Sequence, residues 1–253
     1  MSCRHCLWAI VVVFAGCASL LDRRSDFERG LQLFRNRQYS EAVEYFDTHH
    51  RKFPDSDSTL YYLFNCYRHL NRQEDQTKVL EKMAFRNIKD KNIYLNLVYL
   101  YREEEKYEAL FNMLTRLQPP MSKEVDMHII LTRQLLAELL CGAAGKTLQT
   151  DPIVFCISRG YLPLSPDGQL YEHDTLTTAN LIVLLDRLVE PVYPRNLHRV
   201  QKIPTRSYLY LPYMRLVDQE ILEFDTHIIP NQIASVITAV RALDRLDKRN
   251  RFD

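Results

Sequence analysis

Residues 27–54 read FERGLQLFRNRQYSEAVEYFDTHHRKFP, and this stretch decides the fold class. Phe27, Leu31 and Phe34 lie before a polar break at Asn36-Arg37-Gln38. Ala42, Val43 and Phe46 lie after it, with His50 a turn later. Apolar residues recurring every three or four positions mark one-sided helices, so the stretch predicts two helices joined by a short turn. The pattern returns downstream. Leu63, Phe64 and Tyr67 recur 34 residues later as Leu97, Val98 and Tyr101, and Tyr39 and Tyr107 stand at twice that interval. Self-similarity at such a fixed period belongs to stacked helical units, each too small to bury its own apolar face.

Gly30, Tyr39, Ala42, Phe46 and Pro54 stand at the spacings of the tetratricopeptide consensus, which this region resembles. In the third copy Leu97, Tyr101, Tyr107 and Ala109 match it, with the Tyr-to-Ala spacing one residue short. The second copy, Tyr61 to Ala84, keeps the apolar spacing but carries Phe64 and Gln76 where small residues are usual. The small Gly30 and Ala42 let two helices approach, while Tyr39 and Phe46 fill the gap beside the next unit. The resemblance implies a helical-hairpin solenoid over residues 25–121 with a groove lined by the first helix of each pair. Its groove positions fall on Phe27, Leu31, Tyr61, Asn65, Arg68, Tyr99 and Arg102, a peptide-binding surface of aromatic anchors and basic partners. Packing against a neighbouring helix or against the C-terminal domain is the alternative role for some of them, Phe27 and Leu31 above all. Residues 122–149 read as a capping helix and linker. Val125, Ile129, Leu131, Leu135, Leu136 and Leu139 predict one helix from Glu124 to Leu140, and the linker runs from Gly142 to Gln149.

Composition bounds the rest. Lys+Arg 33 against Asp+Glu 32 leaves no global field to recruit nucleic acid. Six glycines and the absence of a GxGxxG or GxxxxGK[ST] sequence argue against nucleotide folds. Pro54 is the only proline before position 119, while the other ten lie from Pro119 onward. A chain poor in proline can hold long helices and one rich in it breaks into short elements, so a boundary is expected near Pro119-Pro120. No nucleophile elbow, HExxH or EF-hand loop occurs, so a non-enzymatic chain without cofactor or metal is expected. Asp167-Gly168 reads as a turn, and His49-His50 as a solvated face.

Arg4 and His5 precede the apolar run Leu7 to Ala15, which ends in Phe14-Ala15-Gly16-Cys17. The run is short for a membrane span and suits a signal-peptide core. Its end resembles the bacterial lipobox, which implies removal of residues 1–16, a diacylglyceryl thioether on Cys17 and a tether over 17–24. An uncleaved anchor reaching Leu20-Leu21, or a signal without lipid, are the other readings. Ala18 after Cys17 favours the outer membrane where there is one. Cys66, Cys141 and Cys156 remain, an odd number in apolar contexts without CxxC spacing, so neither a disulfide framework nor a zinc site is expected.

Beyond the linker, Asp151-Pro152 is a helix start. Ile153 to Arg159 reads as a short helix stopped by Gly160, and Thr177 caps another from Thr178 to Leu188. With Gly160-Tyr161, Pro166-Asp167-Gly168, Leu176-Thr177 and Ala179, this run resembles an S-layer homology domain. A second copy is expected 60 residues on. Tyr213, Met214, Leu216, Val217, Ile221 and Leu222 answer Ile153, Val154, Cys156, Ile157, Tyr161 and Leu162, with a second helix from about Pro230 to Leu246. The resemblance implies a small, mostly helical tandem domain over 150–253 and binding of cell-wall polysaccharide. In that family an Arg and an acid of a Thr-Arg-Ala-Glu motif contribute to the site. Thr177-Thr178-Ala179-Asn180 lacks that charged pair, and the family usually carries three copies where two are read here, so a degenerate scaffold is expected ahead of a retained glycan site. Arg195, His198, Arg199, Lys202 and Arg206 form a basic stretch between the copies, read as a solvated loop or a contact for anionic glycan or lipid.

Taken together, the expectation is an all-α, lipid-anchored cell-envelope protein on the periplasmic side. Its groove holds a protein or peptide partner. The alternative is a wall-anchoring module holding peptidoglycan or its polysaccharide.

Overall fold

The computed structural model describes residues 26–86, 88–145, 150–249 and 252. Cys17, the signal and the tether lie outside them. The described backbone is all-α, without a β-sheet. The chain divides into two compact units between Leu97 and Val98. This division falls at neither of the boundaries expected at 121 and 149.

Unit 1 contains α1 (26–35), α2 (Tyr39–Lys52), α3 (Asp57–His69), α4 (Gln73–Phe85) and the start of α5 (Lys91–Glu103). The 34-residue period is written into the backbone. Arg37, Asn71 and Glu105 adopt left-handed conformations with φ of 61°, 53° and 54°. Each ends a helix through the same pair of hydrogen bonds. Arg37, Asn71 and Glu105 N–H groups reach Phe34, Arg68 and Arg102 carbonyls, and Gln38, Arg72 and Lys106 reach Leu33, Tyr67 and Tyr101. This is the Schellman closure. It repeats although none of the three residues is glycine.

Buried positions keep the same interval. Ala42, Gln76 and Leu110 are buried, as are Phe46, Leu80 and Leu114. The third-copy partner of Ala42 is therefore Leu110, not Ala109, and no residue is missing. Tyr39 stacks on His69 with centroids 4.2 Å apart, and Phe46 on Tyr62 at 5.3 Å, so both reach the next helix. His49 is buried rather than solvated, its Nδ1 2.7 Å from Thr59 Oγ1, between Phe27 and Phe53. Its short polar contact satisfies a ring nitrogen that burial would otherwise strand.

Unit 2 holds the rest of α5, then α6 (Tyr107–Arg116), α7 (Met121–Asp126), α8 (Arg133–Ala143), α9 (Pro152–Ser158), α10 (Thr178–Asp186), α11 (Tyr210–Asp218) and α12 (Val236–Asp247). The single capping helix expected over Glu124 to Leu140 is instead α7 and α8 with a break at 127–132. Thr132 stops it: its extended backbone and hydroxyl, accepting from Leu135 N–H, start a new helix. The linker expected at Gly142 is still helix, since α8 runs through Ala143.

The result is three copies, not two, of a short helix, a loop and a capped helix: α7/α8, α9/α10 and α11/α12. Thr132, Thr177 and Ser235 each accept a hydrogen bond from the third residue of the helix they cap. Four, five, seven and eight residues past each cap the side chains are buried in all three helices: Leu136, Ala137, Leu139, Leu140; Leu181, Ile182, Leu184, Leu185; Ala239, Val240, Ala242, Leu243. The caps are joined by isolated antiparallel bridges, Thr132 with Thr175 and Thr177 with Ile233. Asp126 closes the set by accepting from Ile237 N–H at 3.0 Å, meeting an orphan donor at the start of α12. Pairing of 230–234 with 176–179 also explains why α12 begins at Val236 rather than near Pro230. Helix α8 packs on α6, α9 and α12 together.

The 60-residue offset between the last two copies is reproduced bond for bond. Tyr161 and Leu162 N–H groups both meet Cys156 O, and Ile221 and Leu222 both meet Leu216 O. The left-handed residue is Gly160 in one copy (φ 74°) and Glu220 in the other (φ 56°). A side chain at such a φ costs about 1 kcal/mol. Gly160 has open space around it, so only its φ opposes a Cβ. Gly160→Ala is expected to lose about 1 kcal/mol and Glu220→Gly to gain up to about as much, measured by urea denaturation.

Candidate functional site

The candidate surface in unit 1 lies on α3. The helix is amphipathic because Leu60, Leu63, Phe64 and Tyr67 point inward, each buried. Tyr61, Asn65 and Arg68, at i, i+4 and i+7, share the other side. Tyr61 is 50% exposed, Asn65 half-buried and Arg68 exposed. Asn65 Nδ2 donates to Tyr61 O at 2.8 Å, and the Arg68 guanidinium lies 5.8 Å from the Phe64 ring centre. The row thus offers an aromatic ring, a polar amide and a cation whose stem rests on another ring.

Other expected groove positions have structural partners. Phe27 packs edge-on against Phe46 and Tyr62, with centroids 5.7 and 5.8 Å away, and Leu31 is half-buried. Phe27 is thereby part of the contact between α1, α2 and α3.

Tyr99 and Arg102 belong to unit 2. Tyr99 is 58% exposed. Arg102 is committed within the unit: its Nε donates to Glu138 Oε2 at 2.5 Å and its Nη2 to Oε1 at 3.1 Å. Glu138, in α8, is buried. The hydrogen bond to this carboxylate raises the Arg102 pKa further. Burial, reinforced by the Glu138 charge, pushes the neighbouring Tyr107 phenol up to about 12. Sequence reading missed this pair because its members lie 36 residues apart, on two helices assigned to different domains.

It also missed Arg133. Leu131-Thr132-Arg133 opens α8 as Leu176-Thr177-Thr178 opens α10, with the threonine as the cap in each. The shared Leu-Thr before an apolar run was the available signal. The Arg133 guanidinium donates to the Pro163 carbonyl, and burial lowers its pKa. Asn180 completes a capping box: its Oδ1 accepts from Thr177 N–H at 2.9 Å.

Between α10 and the loop before α12 lies a cavity of about 310 Å³, with Leu181, Ile182 and Leu222 along its apolar side. Asp225, His227 and Gln232 supply polar groups there. Asp167-Gly168 forms a turn, with Gly168 at φ 76° and Gln169 N–H on Asp167 Oδ1. The basic residues from Arg195 to Arg206 are exposed, and Val200 and Ile203 pin their segment by burial. Among the described residues no cluster of His, Cys, Asp and Glu has the arrangement of a metal site, and no helix is long and apolar enough to cross a membrane.

Comparison with protein-family models, with curated proteins and with solved structures finds no match.

Proposed function

We propose that this chain is a non-catalytic scaffold of the bacterial cell envelope, anchored through a lipid on Cys17, whose tetratricopeptide-like repeats hold a protein or peptide partner. The observation that carries the docking is the row on α3: Tyr61 and Arg68 are exposed, with half-buried Asn65 between them, on a helix whose opposite side is buried. The Schellman turns recurring every 34 residues support the repeat reading, since a stacked array requires each unit to turn alike. Anchoring by acyl chains raises the local concentration of whatever the row binds.

The test replaces Tyr61 and Arg68 together by Ala in the full chain, extracted in mild detergent. Aromatic and arginine anchors each contribute about 1–2 kcal/mol at an interface, so partner retained on the chain is expected to fall at least about tenfold. The melting temperature should stay unchanged, because both side chains are exposed. Undiminished partner yield would overturn the reading.

A second reading, wall anchoring through unit 2, gains from the third helix–loop–helix copy and from Arg133 at its cap. Three is the usual copy number of the S-layer homology family, and the cavity beside α10 has the mixed apolar and polar lining that sugars take. The same double variant separates the readings: binding to wall material by unit 2 would survive it.

A further inference from the structure

Cys141 lies in the last turn of α8 and Cys156 in α9, two helices that pack on one another. Both thiols are fully buried, and their sulfur atoms are 3.9 Å apart, in van der Waals contact with no atom between them. Cys156 Sγ is also 3.7 Å from the Ala137 carbonyl of α8, so it points at that helix. A disulfide needs about 2.05 Å between sulfurs, a closure within reach of side-chain rotation and a small helix shift. The odd number of cysteines beyond position 17 hid this: Cys66 belongs to α3 of unit 1, while Cys141 and Cys156 meet within unit 2.

We infer that Cys141 and Cys156 form a disulfide when the chain folds under oxidising conditions, tying the first helix–loop–helix copy to the second. The oxidant is a disulfide, R–S–S–R, from the class of thiol-exchange proteins or glutathione disulfide. One cysteine thiolate attacks it and releases RS⁻. The second thiolate then attacks the mixed disulfide, forms the Cys141–Cys156 bond and releases another RS⁻. The two thiols give up two protons and two electrons, and one R–S–S–R becomes two thiols. Exchange precedes complete burial, because in the folded chain the Cys141 contact and burial hold the Cys156 thiol protonated. In the cell the oxidant comes from the compartment, which rests on the envelope reading above; the pairing itself does not.

The test refolds the full chain in a mixture of glutathione and glutathione disulfide, then denatures it in N-ethylmaleimide and digests it with trypsin. The peptides Gln134–Lys146 and Thr147–Arg159 are expected joined, lighter by two hydrogens than their sum, while the Cys66 peptide carries maleimide. Reduction is expected to lower the melting temperature by roughly 5 °C or more in the native sequence and not in a Cys141→Ala, Cys156→Ala chain. Maleimide on both peptides, or either joined to a peptide carrying any other cysteine, would overturn the inference. If the refolded chain is joined but the chain extracted from cells is not, the envelope location is contradicted and the pairing stands.

Discussion

Gly142→Ala is expected to destabilise unit 2 by roughly 3 kcal/mol or more, although the substitution improves helix propensity. Gly142 lies inside α8, where Ala is intrinsically better by about 1 kcal/mol. A Cβ there would stand 2.2 Å from the Tyr107 carbonyl oxygen and 2.9 Å from Phe111 Cβ. The first contact is with backbone, at the start of α6, so no side chain can turn away to relieve it. Helices α6 and α8 must separate, and Phe111, Leu139 and Leu140 lose close packing with them. Overpacking therefore outweighs propensity. Gly30 is the instructive contrast. Its added Cβ would stand 2.8 Å from the edge of the Phe46 ring, a side chain rather than backbone. Gly30→Ala should cost about 1 kcal/mol or less. Urea denaturation followed by circular dichroism measures both; equal effects would contradict the packing described for α6 and α8.

Arg102→Ala is expected to cost about 3 kcal/mol and Glu138→Gln about 1 kcal/mol or less, an asymmetry set by burial. The Glu138 side chain is 6% exposed against 38% for Arg102. Removing the guanidinium leaves a carboxylate inside the packing of α8 with its charge uncompensated. Removing the carboxylate charge leaves a cation that reaches water, and the amide of Gln still offers an acceptor. Arg102→Ala with Glu138→Leu should recover much of the loss, because an apolar side chain of similar size suits the site left behind. The two single variants and the double one form a cycle readable by the same denaturation. A loss on Glu138→Gln as large as on Arg102→Ala would contradict the account of the pair.

The repeat region was the legible part of the sequence. Helices α2, α3 and α4 pack with their neighbours in the chain, and a period of 34 residues carries both the turns and the buried positions. Tyr39 and Phe46 could be read as residues between successive helical hairpins because each touches the next helix along. Unit 2 was legible only in pieces. The offset between α9 and α11 and the caps Asp151 and Thr177 were recoverable from local chemistry. The first copy was not, because Leu131-Thr132-Arg133-Gln134-Leu135 keeps helical periodicity across a helix start. Only the extended backbone of Thr132, fixed by its bridge to Thr175, breaks it there. The same limit applied to the candidate surface. Periodicity assigns a residue to a face of a helix, but not the element that face meets. Thus Arg102 read as free for a ligand, while Glu138 holds it, and His49 read as solvated, while Thr59 and two phenylalanines enclose it.

The most direct test of the docking claim places a photo-crosslinking amino acid in the full chain at Tyr61 and, separately, at Lys78, and irradiates intact cells. Lys78 is an exposed residue of α4 paired with Glu74, away from the row on α3. The account predicts a discrete protein adduct from position 61 and none from position 78. No adduct at position 61, or the same adduct from both positions, would contradict it.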